Sequence, residues 1–184
     1  MKLIDRKIRT HIYNYIVQCL LATGILLLAL LFLNVLTETA LIASLGATSF
    51  IVFAMPKTYA SSPRRLIGGY SIGILIGIIC SYAGSILHTT SVLSNVISYE
   101  TPIVFAAIAV GLSIFIMTIT NTEHAPAAGI SLGLVINQWN LNSVLFIVFV
   151  MLIMAVIRHV LQPHLINLTS PNLQSSNEKK VDKR

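Results

Sequence analysis

The sequence predicts an all-α bundle in a lipid bilayer: a polytopic membrane domain of four long spans and two short or broken helices, arranged as two inverted halves of three. Three observations predict it. Only 10% of the 184 residues are charged and 55% are apolar, against roughly a quarter charged in soluble domains. No Lys or Arg occurs between Thr10 and Pro56, nor between Leu66 and Ile157, which is how hydrocarbon-embedded sequence reads. The apolar runs also differ in length, and the differences repeat in order.

The elements follow in order along the chain. Residues 1–14 form a basic arm holding Lys2, Arg6, Lys7 and Arg9. They resemble the basic region of a signal peptide, but the next apolar run is too long and lacks a small-residue cleavage site, so it is expected to be a retained span. Four runs, 15–36, 66–87, 102–121 and 142–161, are long enough to cross unaided. The other two fall short of a hydrocarbon layer roughly 30 Å thick: 40–55 covers about 24 Å as a helix and 125–137 about 20 Å. The transmembrane domain is thus predicted over 15–162, with halves 15–87 and 102–161. A polar, basic tail over 163–184 follows, expected to be disordered.

Charge decides whether the short runs cross. With six crossings, the arm, the loop holding Lys57, Arg64 and Arg65, the end bearing Arg158, and the tail all lie on one side, cytoplasmic by the positive-inside rule. The outer loops then carry Glu38 and Glu100 and no Lys or Arg. Long–short–long followed by long–short–long, each of three crossings, makes the second half an inverted repeat of the first. Short, Gly- or Pro-interrupted segments at matching positions of such halves point to a transporter's substrate site. The net charge of +6 is therefore read as a topology signal, and nucleic acid is not an expected partner.

The candidate site residues come from these short segments and their flanks. Gly46, Ala47, Thr48 and Ser49 lie in the first; Pro126, Gly129 and Ser131 lie in the second, which Thr120, Thr122, Glu123 and His124 precede. Non-helical backbone at membrane depth must be buried in protein or line a wet cavity. A helix N-terminus favours anions, and Pro126 fits a first turn because it has no N–H to leave unpaired. Glu123 and His124 read either as a proton-handling pair within the membrane or as a loop at its surface. Arg64 and Arg65 divide similarly between attracting anions and marking topology. Gly69, Gly73 and Gly77 recur every four residues, leaving a helix face on which another backbone can lie, either within the chain or in a homo-oligomer.

Enzyme signatures are absent. There is no His-Glu-x-x-His pair and no Gly-x-Ser-x-Gly elbow, and the five histidines are not spaced as metal ligands. Cys19 and Cys80 both sit in apolar runs and define no disulfide framework. Neither catalysis, a metal nor a cofactor is expected. The expected partners are the bilayer and a small inorganic anion.

The run Thr120-x-Thr122-x-His124-Ala125-Pro126-Ala127 resembles the Thr-x-Thr-x-His-Pro-Pro-Ala signature of the HPP family of integral membrane proteins. Gly46-Ala47-Thr48, Pro56, Pro63-Arg64 and Gly68-Gly69 resemble that family's first block, so the likeness extends over about 15–162. Two positions depart from it. Ala125 replaces the first Pro, and Tyr70 stands where many members have His. The resemblance implies a small polytopic membrane protein, commonly described with four spans, whose plant chloroplast members are associated with nitrite transport. Nitrite or nitrate transport in the cell membrane is the resulting expectation, and a non-transporting subunit packing through the glycine face is its rival.

Overall fold

The computed structural model describes residues 7–33, 38–90, 101–137 and 139–168. Among them are six α-helices: α1 (Lys7–Phe32), α2 (Thr39–Ala54), α3 (Pro63–Thr90), α4 (Thr101–Ile119), α5 (Ala125–Ile136) and α6 (Leu141–Leu161). A 3-10 turn at Tyr59–Ser61 separates α2 from α3. Helices α1, α3, α4 and α6 each hold a stretch long and apolar enough to cross a membrane, while α2 and α5 are shorter and equally apolar. The largest departure from the sequence expectation is at α1. It starts at Lys7, inside the basic arm, and is kinked at His11, where φ −131° and ψ 30° leave the helical region.

Local chemistry explains where the helices stop and start. Pro56 follows the last turn of α2 and cannot continue it. Pro63 opens α3, where its missing N–H costs nothing. Asn121 adopts a left-handed φ of 55°. That turn lets the Thr122 N–H reach back to the Met117 carbonyl at 2.9 Å and closes α4. Asn140 caps α6, its Oδ1 accepting from the Ser143 N–H at 2.7 Å.

Successive helices run in opposite directions, so each short helix passes from one end of the bundle to the other. One end gathers the start of α1, the 55–62 turn, the α4–α5 link and the end of α6, through bonds such as Arg65 to Asn121 and Arg158 to Pro56. At the other end Glu38, at the start of α2, accepts a hydrogen bond from Ser143, at the start of α6. The described basic side chains Lys57, Arg64, Arg65 and Arg158 all belong to the first end.

The main core joins all six helices through Ile25, Leu41, Leu45, Phe53, Tyr70, Met117, Ile130, Leu134, Ile147 and Met154. A smaller cluster of Ile76, Cys80, Ala106, Ala109 and Val135 ties α4 to α3 and α5. Leu20, Leu27 and Leu31 of α1, and Ile103, Ile108 and Phe115 of α4, face outward, where lipid replaces the water that would penalise them. The principal packing pairs are α3 with α5 and α4, α4 with α5, α1 with α2, α2 with α5, and α6 with α3, α2 and α1. Exchanging α1, α2 and α3 for α4, α5 and α6 maps this set onto itself.

Beyond α6 the chain turns back over the ends of α1 and α2. Leu165 is buried, Gln18 donates to the Ile166 carbonyl at 2.9 Å, Tyr15 donates to the Leu168 carbonyl at 2.8 Å, and the Leu168 N–H bonds the Ala54 carbonyl. Packing therefore reaches Leu168. The rest of the sequence-predicted tail, from Thr169, lies outside the described residues.

Candidate functional site

The glycines of α3 set the geometry. A Cβ on Gly69 would sit 2.7 Å from the His124 Cβ, one on Gly77 2.9 Å from the Ser131 Cα, and one on Gly73 directly against the Ala127 carbonyl. None of these separations is open to a real side chain, so α3 and the start of α5 meet backbone to backbone. Gly129 leaves room for the Ser44 side chain and Gly133 for that of Leu41, bringing α5 onto α2. Helix α5 is therefore wedged between α2 and α3, with His124 at its N-cap, 1% exposed.

His124 meets the middle of the other short helix there. Its Nε2 lies 3.1 Å from Thr48 Oγ1, and Thr48 Oγ1 lies 2.8 Å from the Tyr70 hydroxyl. Thr48 and Tyr70 are fully buried. The His124 Nδ1 faces the Ala60 carbonyl at 3.4 Å. A carbonyl only accepts, so Nδ1 carries the proton and Nε2 of the neutral ring is an acceptor. The order of donors follows: Tyr70 O–H to Thr48, Thr48 O–H to His124, His124 N–H to Ala60. A proton added at Nε2 would turn the Thr48 O–H away from the ring, because Nε2 would then donate to Thr48 Oγ1, which has a second lone pair for the Tyr70 hydroxyl.

Arg65 forms a second cluster beside this one. It is 8% exposed. Its Nη2 donates to Asn121 Oδ1 at 2.6 Å, and its Nη1 pairs with Glu123 Oε2 at 2.5 Å and donates to the Glu123 carbonyl at 3.3 Å. The guanidinium lies 3.5 Å from the centre of the Tyr59 ring, and the Tyr59 hydroxyl donates to Asn121 Oδ1 at 3.0 Å. Arg65, followed by Asn121, holds the exposed Tyr59 phenol below its ordinary range.

The sequence-predicted site residues are thus divided. Thr48 and His124 come together, whereas Glu123 turns to Arg65. Arg65 is neutralised by that carboxylate, while Arg64 is exposed. Ala47 and Thr120 are exposed, and Gly46 packs against Leu26. The hydroxyls of Ser49 and Ser131 return to the Gly46 and Ala128 carbonyls of their own helices, at 2.8 and 2.7 Å. Thr122 is buried against Gly68 and shares a 2.7 Å hydroxyl contact with Thr120. The α5 N-terminus offers an anion less than its sequence promised: Pro126 has no N–H, and the Ala127 N–H bonds the His124 carbonyl at 2.9 Å.

Tyr70 and Arg158 were missed as site residues. Tyr70 falls inside an apolar span, and Arg158 reads from sequence as a topology marker. Arg158 is only 7% exposed, and its Nη2 donates to the Pro56 carbonyl at 3.0 Å and to Ser61 Oγ at 3.4 Å. Among the described residues no three His, Cys, Asp or Glu side chains gather as a metal centre requires.

Comparison with known proteins places this architecture. A transmembrane protein of Dictyostelium discoideum is 34% identical over 113 residues, 60% of this chain and 36% of the relative. The aligned region thus spans about a third of that relative's length. No solved structure matches the chain. The family model described as HPP, transmembrane region, matches residues 7–172, which include all six described helices. This integral membrane protein, with its wedged helix α5 and buried His124, belongs to the HPP transmembrane-region family.

Proposed function

We propose that the chain moves a small inorganic anion across the membrane, with nitrite or nitrate as the leading substrate, and that Thr48, Tyr70 and His124 form its central polar site. The observation that carries this reading is the 3.1 Å meeting of the two short helices at Thr48 and His124. Buried polar side chains within apolar helices are costly and mark substrate or proton pathways. Tyr70 and Thr48 can donate to a substrate that breaks the chain between them, and His124 becomes the third donor once Nε2 takes up a proton, a convergence that suits an oxyanion. The exchange symmetry of the packing pairs supports the inverted repeat on which alternating access around a fixed site depends. The rival reading, a subunit that docks through its glycine face, is weakened because residues 122–134 of the same chain cover Gly68, Gly69, Gly73 and Gly77.

The test is flux of nitrite, nitrate, chloride and formate into liposomes holding the purified protein, with and without a pH gradient. Selective, saturable uptake is expected. His124→Ala should remove the pH dependence of uptake between about pH 5 and 8 while the protein stays folded. Identical pH profiles would exclude His124 from proton handling, and absence of flux in correctly inserted protein would reject transport.

A further inference from the structure

Arg65 and Arg158 flank the same turn at the basic end of the bundle, and among the described residues only Arg65 has a counter-ion. Arg65 is held by Glu123. The carboxylates among the described residues are Glu38 and Glu123, and Glu38 lies at the opposite end with Ser143. No described carboxylate is left for Arg158. Its two acceptors are the Pro56 carbonyl and Ser61 Oγ, and its Nε–H is buried with no partner. A guanidinium has five donors and a full positive charge. The C-terminal ends of α2 and of α6 itself each offer roughly half a negative charge, but it is spread over carbonyls and leaves the Nε–H unmet. A buried guanidinium with an unmet donor and no carboxylate among the described residues has a place for an anion.

We infer that Arg158 is the heart of an anion-binding site between the end of α6 and the 56–61 turn, recognising a singly charged oxyanion. Nε–H and Nη2 share one edge of the guanidinium plane, and the long 3.4 Å contact of Nη2 with Ser61 Oγ is the one an incoming oxygen would share. Two oxygens on one centre therefore suit this edge better than a spherical ion. That chemistry is met by free nitrite or nitrate and also by a lipid phosphodiester. As a station for a transported anion the site rests on the transport reading; as a binding site it rests on the geometry of Arg158 alone.

The experiment is thermal unfolding of the full chain in phosphatidylcholine nanodiscs at constant ionic strength, titrated with sodium nitrite, nitrate or chloride. A parallel series replaces part of the lipid with phosphatidylglycerol and adds no small anion. Wild type should be stabilised saturably by the oxyanions more than by chloride. Arg158→Lys keeps the charge but loses the fork, and should weaken apparent binding about tenfold or more. Arg158→Met should abolish it; if that variant fails to fold, Arg158→Lys decides. Arg158-dependent stabilisation in the phosphatidylglycerol series alone assigns the oxyanion to lipid. Equal titrations for wild type and Arg158→Lys in both series overturn the site. Nitrite flux with Arg158-independent binding would reject the site and keep transport, whereas Arg158-dependent binding without flux would keep the site and reject transport.

Discussion

The contact of α3 with α5 and the contact of α6 with α2 change places when α1, α2 and α3 are exchanged for α4, α5 and α6, yet they are built differently. On the first, Gly69, Gly73 and Gly77 bring backbone onto backbone. On the second, Ile147, Val150, Met151 and Met154 share an apolar core with Leu41, Leu45 and Val52. Side chains that interdigitate can repack when one changes, but backbones in contact have nothing to move out of the way. The rigid contact is the one that seats His124, and the adaptable one supports it from behind. Precision has been placed where the polar chain needs hydrogen-bond distances and withheld where only filling is required.

Substitution should expose that contrast, most strongly at the glycine seam. Gly73→Leu is expected to cost about 3 kcal/mol or more, or to prevent assembly, because its side chain would have to displace the Ala127 carbonyl. Met154→Leu, buried at the adaptable contact, should cost less than about 1.5 kcal/mol. Unfolding of both variants in one detergent measures the difference, and equal losses would break the comparison. Next in size is Thr48→Val, which keeps the shape but leaves the Tyr70 hydroxyl and His124 Nε2 without their shared partner. A loss of about 1–3 kcal/mol is expected, together with altered pH dependence of any flux. A smaller effect should come from Glu123→Gln. Its side chain is 42% exposed, so solvent already screens the pair with Arg65. Arg65 is only 10% exposed and loses its counter-ion but keeps Asn121 Oδ1 and the Tyr59 ring. A change of about 1–2 kcal/mol is expected, reduced in high salt; a larger loss would mean that the ion pair, and not the glycines, anchors the α4–α5 link.

How much of this was legible beforehand differs from residue to residue. His124 was readable because an ionisable group bordering an apolar segment is rare, and Gly69, Gly73 and Gly77 because their spacing matches a helix face. Tyr70 stood out only as a departure from the family pattern and was not placed in the site, since a tyrosine in a span gives no sign that its hydroxyl faces another polar group. Glu123 was paired with His124 through adjacency, but the extended backbone at His124, φ −139° and ψ 93°, sends neighbouring side chains different ways. Arg65 and Arg158 read alike as cytoplasmic markers because a linear chain does not reveal which cation lies near a carboxylate.

The sequence by itself determined the solvent, the helices and their order. Apolar runs of this length, free of Lys and Arg, satisfy their own backbone in lipid as helices, and the lengths of those runs set four long helices and two short ones. Only the tertiary structure decided which polar groups meet. The meeting of Thr48, Tyr70 and His124 joins residues 22 and 76 positions apart. It depends on α3 lacking side chains where α5 must approach, and on how three helices rotate about their own axes when they pack. Helix rotation is a property of the assembled interfaces, because uniformly apolar segments carry almost no amphipathic signal to specify which face turns inward.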